Sequence, residues 1–376
     1  MNHDEVATTF TTLFGRPPAG VWVAPGRINL IGEHTDYNGG FVLPFAIPQA
    51  ACLAADVRAD EVWRFHSEQT GETVEVDTLT PGAPGWQSYL AGVVWALRQE
   101  GHRVGGADFV LSSEVPLGAG LSSSAAIECA VMIALCDLYA LDLDLLQRAQ
   151  LCQVAENQYV GAPTGLMDQA ASTLCTAGHA LFLDCRSCAV EQVPLDLATA
   201  GLEILVVDTR TPHAHVDGEY VARRAACTRA CEILGVPLLR DVTDLDAALA
   251  LLPELEGRRV RHVVTENQRV LDTVAGLRRG DFDQVGRLMT ASHASMRDDY
   301  EITVATVDLA VETMLASGAL GARMTGGGFG GCVLALVRAG TADVVADAVR
   351  AAFADAGFGA PVSFGARPSA GARRTS

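Results

Sequence analysis

Four stretches carry residues whose types and spacing could do chemistry. The first, APGRINLIGEHTDYNGG from Ala24 to Gly40, sets Arg27, Glu33, His34 and Asp36 within ten residues, where an apolar strand pattern ends. Four such side chains at one strand exit raise the question of what they meet there. The second, EVPLGAGLSSSAAIECAVMIAL from 114 to 135, runs a glycine-rich turn through Ser122, Ser123 and Ser124 into a helical pattern. Free N–H groups and the dipole at a helix start attract phosphate, and glycines let backbone come close to a ligand. The plainer alternative is an ordinary helix with a serine cap. The third, RMTGGGFGGCVLALV from 323 to 337, puts five glycines in six positions after Thr325 and before a strand. A tight inter-strand turn needs fewer, so backbone is expected to approach something closely there. The fourth, AENQYVGAPTGLMDQAAS from 155 to 172, holds Glu156 in a helical pattern and Asp168 after a Pro-Thr-Gly turn. Taken alone, Glu156 reads as a solvated helix face, and Asp168 reads equally well as a helix-capping acid.

Other patterns carry less. Glu33-His34 is not the H-E-x-x-H of zinc proteases, because the order is wrong and position 38 is Asn. Cys185-x-x-Cys188 is a single pair, and Cys227 and Cys231 stand at helical spacing far from it, which reads against a zinc site. His213-x-His215 could bind a metal but is more simply a pair of exposed loop histidines.

The chemistry is bounded by composition. None of the 27 basic residues is Lys, which removes Walker lysines, the protein-kinase strand lysine and Schiff bases. PLGAGLSS can therefore cradle phosphates only by backbone, hydroxyls and a metal. A net charge of −18 disfavours nucleic acid and anionic membrane surfaces as partners. The longest apolar run, Ala125 to Leu141, contains Glu128 and Asp137 and does not read as a membrane span. The acidic, polar N-terminus is no signal peptide, so a cytoplasmic location with reduced thiols is expected.

The elements that must position these stretches follow from periodicity. Length suggests two domains, and a 49% hydrophobic content affords a large core built on Ala, Val and Leu. GVWVAPGRINLIGEH reads as strand, turn, strand, with strands also at AACLAADVR, VWRFHSEQ, GLEILVVDT and CVLALVR. Helical spacing covers 86–100, 124–140, 217–234, 258–279, 281–295, 301–317 and 341–357. Strands and helices alternate irregularly, which points to an α+β fold rather than a doubly wound sheet. The turn-rich stretch at 185–200 suggests the boundary: residues 1–195, then 196–365, then a polar tail, 366–376, expected to be disordered. Trp86 and Tyr89 could line a base pocket, but core packing is the simpler reading.

Three glycine-rich blocks in this order, with no Lys among them, resemble the GHMP small-molecule kinases. GRINLIGEHTDYNGG is similar to the signature of the galactokinases within that superfamily. PLGAGLSSSAA is similar to the phosphate loop, MTGGGFGGC to the third motif, and AENQYVG with GLMDQ also matches. The likeness runs from residue 21 to about 340. Two departures stand out: Pro163-Thr164-Gly165 where many of these enzymes have Cys-Gly, and VDGEYVARR where a Ser often precedes the Glu-Tyr.

The resemblance implies two domains, the first with a mixed sheet and a left-handed β-α-β crossover, the second ferredoxin-like, with the active site in the cleft between them. It implies ATP-dependent phosphorylation of the C1 hydroxyl of D-galactose. Asp168 and Arg27 would be catalytic. Glu33, His34, Thr35, Asp36 and Tyr220 would bind the sugar. Gly118, Ala119, Gly120, Leu121, Ser122, Ser123 and Ser124 would hold the ATP phosphates, and Ser124 and Glu156 would ligate Mg²⁺. A monomer is expected. The alternatives are a kinase for N-acetylgalactosamine or arabinose and a silent sugar- and ATP-binding sensor. The whole phosphate loop and the presence of Asp168 speak against the sensor.

Overall fold

In the computed structural model, residues 3–211 and 216–376 are described, so the His213-x-His215 pair lies outside them. The N-terminal half is built on a six-stranded sheet in the order β13-β1-β3-β6-β4-β5. Its members are β1 (Gly20–Asn29), β3 (Pro44–Val57), β4 (Trp63–Ser67), β5 (Thr73–Val76), β6 (Ala107–Ser113) and β13 (Arg373–Arg374). Successive strand residues point to opposite faces. Val21 and Val23 of β1 therefore meet Val6 and Phe10 of α1 (His3–Phe14). Trp22 and Ala24 face the large core under α2 (Ser88–Gln99) and α3 (Ser123–Leu138). The β4 and β6 strands are parallel neighbours, joined through β5 and α2, which is the β-α-β unit of this sheet. A small sheet of β2 (Phe41–Val42), β7 (His179–Asp184) and β8 (Ala189–Pro194) adjoins α4 (Leu145–Val154) and α5 (Met167–Leu174).

The second half carries β9 (Leu202–Asp208), β10 (Gly321–Met324), β11 (Cys332–Arg338) and β12 (Val362–Ala366) in the order β10-β11-β9-β12. All its pairings are antiparallel. Between β9 and β10 run α6 (Val216–Leu234), α7 (Leu245–Leu251), α8 (Glu254–Arg279), α9 (Phe282–Ser295) and α10 (Ala305–Ala316). Between β11 and β12 runs α11 (Ala342–Asp355), so the pattern is the βαββαβ of a ferredoxin-like fold. No helix among the described residues is long and apolar enough to cross a membrane.

Two expectations need correction. GVWVAPGRIN is one strand, not strand, turn, strand; its Pro25-Gly26 step makes a register shift against β3. Gly26 is required there because a Cβ would stand 2.7 Å from the Leu121 carbonyl oxygen, and the Arg27 N–H donates to that same oxygen at 3.1 Å. The tail expected to be disordered instead returns to the first sheet. Arg373 and Arg374 pair with Val23 and Trp22, and the Ser369 N–H donates to Ala46 O at 2.8 Å. The reason is the open edge of β1, whose unpaired backbone groups need a partner whatever side chains that partner carries.

Candidate active site

A cleft of about 650 Å³ opens between the two halves, and the four stretches converge on it. Asp168 stands in the first turn of α5. Its Oδ1 accepts from Arg27 Nε at 2.8 Å and from Nη2 at 2.7 Å, and its Oδ2 accepts from the Ser122 hydroxyl. Arg27 is 4% exposed and also donates Nη1 to the Gly120 carbonyl. One carboxylate is thus oriented on both oxygens beside a fixed guanidinium.

The loop from Gly118 to Ser124 alternates in direction. Ala119 and Leu121 turn into the core, while Gly118, Gly120 and the three serines face the cleft. Gly118, Gly120 and Ser122 have φ of 70°, 75° and 58°, the left-handed conformations such alternation needs. Ser122 precedes α3 but does not cap it, because its hydroxyl is given to Asp168. The serine-cap reading fails for that reason, and the first N–H groups of α3 remain available to an anion. The glycine run of the third stretch lies against this loop: a Cβ on Gly326 would stand 2.9 Å from Gly120 O.

Glu156 is not on a solvated face. It lies on a π-helical turn, Ala155–Val160, that continues α4, and it is 4% exposed. Its Oε2 accepts from Thr164 Oγ1 at 2.8 Å and Gln169 Nε2 at 2.7 Å, and Ser124 hydrogen-bonds the same carboxyl. Burial raises its pKa, against the pull of those hydrogen bonds. Among the described residues no group of three or more His, Cys, Asp or Glu side chains could hold a metal. A hydroxyl and a carboxylate at the phosphate loop fit Mg²⁺, which keeps several waters and bridges phosphate oxygens.

Of the polar residues in the first stretch, Asp36 is the one turned most openly to the cleft. Burial, then the nearby Asp168 charge, push its pKa up to about 6. Gly165 backs it so closely that a Cβ there would stand 1.8 Å from Asp36 Oδ2. Tyr220 of α6 borders the same space, its ring 5.2 Å from that of His34. Glu33 and His34 reach the cleft wall but are tied to the other half. Glu33 pairs with Arg323 and accepts from Thr325 Oγ1 and Gly326 N–H, each at 3.2 Å. His34 Nε2 donates to Gly327 O at 3.1 Å, so Nδ1 accepts from the Tyr37 hydroxyl at 2.7 Å. Burial lowers the His34 pKa to about 3 and keeps the ring neutral. Thr35 is not brought to the cleft: it is fully buried, and its hydroxyl bonds Gly32 O and Phe41 O within its own loop.

Sequence reasoning missed Arg323, a fully buried Arg that also donates to Asn29 O and Leu30 O. Its one signal was its place three residues before the glycine run. Trp86 and Tyr89, read as core packing, both line the cleft, and Trp86 also packs against the large core.

Residues 8–57 match the galactokinase galactose-binding signature, 88–176 the N-terminal domain of the GHMP kinases, and 273–355 their C-terminal domain. A galactokinase of Streptomyces coelicolor is 55% identical over 98% of this chain and 97% of its own length. The chain belongs to the galactokinase family. A galactokinase of Mycobacterium tuberculosis is 47% identical over 90% of the chain and 94% of its own. Among solved structures, Lactococcus lactis galactokinase complexed with galactose superposes with a TM-score of 0.95 at 32% identity, covering 99% of each chain. A mevalonate kinase shares only the fold, at TM-score 0.66 and 16% identity over 92% of this chain and 98% of that one. The family assignment agrees with the sugar-kinase reading of all four stretches, and GHMP kinases use ATP.

Proposed function

We propose that this galactokinase-family chain transfers the γ-phosphoryl group of ATP to the C1 hydroxyl of D-galactose, with Asp168 and Arg27 as the catalytic pair. The observation that carries this reading is the Asp168 carboxylate, held by Arg27 on one oxygen and Ser122 on the other, at the mouth of the phosphate loop. Asp168 orients the C1 hydroxyl and takes its proton as the new O–P bond forms and the bond to the ADP oxygen breaks. The transition state is loose, so the proton leaves late and a strong base is not needed. Arg27 offsets charge on the transferring group. The backbone of Gly118–Ser124 and the start of α3 hold the ATP phosphates. Ser124 and Glu156 would hold Mg²⁺, which would supply the positive charge that a lysine supplies in other phosphate loops.

Asp36 and Tyr220 read the sugar hydroxyls. Glu33 keeps a lone pair for a further hydroxyl donor, His34 shapes the wall, and Thr35 holds the loop. A hydroxyl reader that loses its partner is left buried and unpaired, which is how such a site rejects an epimer. The ten cysteines are all unpaired, which supports a reducing, cytoplasmic location.

The test is Mg²⁺-dependent ADP release with galactose, N-acetylgalactosamine, arabinose, glucose and mevalonate in parallel. Turnover dominated by galactose is expected. Dominant turnover of another sugar would keep the phosphoryl-transfer roles and overturn the reading of Asp36 and Tyr220. Galactose binding without turnover would mark a sensor.

A further inference from the structure

Behind Glu156 lies a buried polar group that none of these roles uses. Glu128 of α3 and Gln169 of α5 are both fully buried. The Gln169 amide spends both its hydrogens: Nε2 lies 2.7 Å from Glu156 Oε2 and 3.1 Å from Glu128 Oε2. Two acceptors remain without partners, Glu128 Oε1 and Gln169 Oε1. Among the described residues Glu128 has no ion-pair partner, so the Gln169 amide is what holds its carboxyl.

We infer that Glu128 and Gln169 are positioning residues for Glu156: Glu128 Oε2 takes one N–H of the Gln169 amide and so aims the other at Glu156 Oε2. With Thr164 on the same oxygen, the Glu156 carboxylate is oriented toward Ser124 before any cation arrives. The packing of α3 on α5 does not call for this trio, since well-packed apolar side chains hold helices together at least as well. The inference rests on the reading of Glu156 as a Mg²⁺ ligand.

The experiment is calorimetric titration of the full chain with ADP, with and without Mg²⁺, beside galactose titration and thermal unfolding. The readout is the gain in ADP affinity that Mg²⁺ provides. Glu156→Gln is expected to abolish it. Glu128→Gln, which keeps an acceptor for the Gln169 amide, is expected to hold it within about twofold, while Glu128→Met and Gln169→Leu cut it about tenfold or more. Galactose affinity and metal-free ADP affinity should stay unchanged in the Glu128 and Gln169 variants. If Gln169→Leu does not fold, the contrast between Glu128→Gln and Glu128→Met decides. A loss in Glu128→Gln as deep as in Glu156→Gln would overturn the inference, because Glu128 would then act as a charged ligand. So would an unchanged gain in Gln169→Leu or in Glu128→Met. An unchanged gain in Glu156→Gln would bring down the Mg²⁺ reading itself, and the inference with it.

Discussion

Arg27 and Asp168, 141 positions apart, form an ion pair with Nε 2.8 Å and Nη2 2.7 Å from one carboxylate oxygen, at the seam between the phosphate loop and the sugar cleft. The pair joins strand β1 to helix α5, so the proposed base and the proposed phosphoryl-facing charge are fixed by one contact.

Breaking either side of this pair should separate chemistry from binding. Asp168→Asn keeps the shape and removes the proton acceptor, so kcat should fall about 10²- to 10⁴-fold. Galactose affinity should change far less. Arg27→Ala should likewise depress kcat more than it weakens galactose binding. Steady-state kinetics with direct galactose titration checks both. A near-wild-type kcat in Asp168→Asn would remove Asp168 from its role.

The acidic limb of the pH profile should belong to Asp36. Its pKa is raised to about 6, by burial first and by Asp168 second. A carboxylate accepts sugar hydroxyls and a carboxylic acid does so poorly, so kcat/KM for galactose should rise as pH passes through about 6. Stability runs the other way. Asp36 holds its proton more tightly folded than unfolded, so its stabilising contribution is full below the ordinary value of 3.8 and is lost as pH climbs through about 6. Asp36→Asn should lower galactose affinity, shift the kinetic limb and flatten that stability term. A limb unmoved in this variant would assign it to another group.

Gly165 should tolerate no side chain. A Cβ at 1.8 Å from Asp36 Oδ2 forces either the carboxylate or the Pro163–Gly165 turn to move. Overpacking of this kind costs about 1–3 kcal/mol. If the strain falls on Asp36, Gly165→Ala should raise the KM for galactose about tenfold with little effect on ADP binding. An unchanged KM would show that the turn yields and Asp36 does not.

Removal of residues 369–376 should destabilise the N-terminal sheet. Thr375 N–H donates to Val21 O at 2.8 Å, Val21 N–H donates to Ser376 O at 3.1 Å, and the Arg374 guanidinium lies 5.2 Å from the Trp22 ring centroid. Differential scanning calorimetry should show Tm lower by at least about 4 °C. Light scattering should show more self-association, since an open β1 edge invites pairing. An unchanged Tm would be the behaviour of a loose tail.

The site's vocabulary was legible before any coordinate. The glycine-serine turn, the glycine run and the missing lysines are local facts, and they limit any phosphate binding to backbone, hydroxyls and a metal. The α+β pattern and most helices follow from periodicity, which is local too. The fate of individual side chains was not. Thr35 and Asp36 are neighbours of equal promise on paper, yet one bonds its own loop and the other meets the cleft. Glu156 carries no sequence mark of burial, because burial is decided by what packs above it.

The sequence by itself determined the family of chemistry and the residue types available for it. Tertiary structure decided which of those residues face a ligand, which brace one another, and that the tail completes a sheet begun more than 340 residues earlier. Hydrophobic periodicity and turn chemistry act over a few residues. Ion pairs such as Arg323–Glu33, orphaned strand edges and buried carboxyls depend on segments hundreds of positions apart, and only the folded chain brings those together.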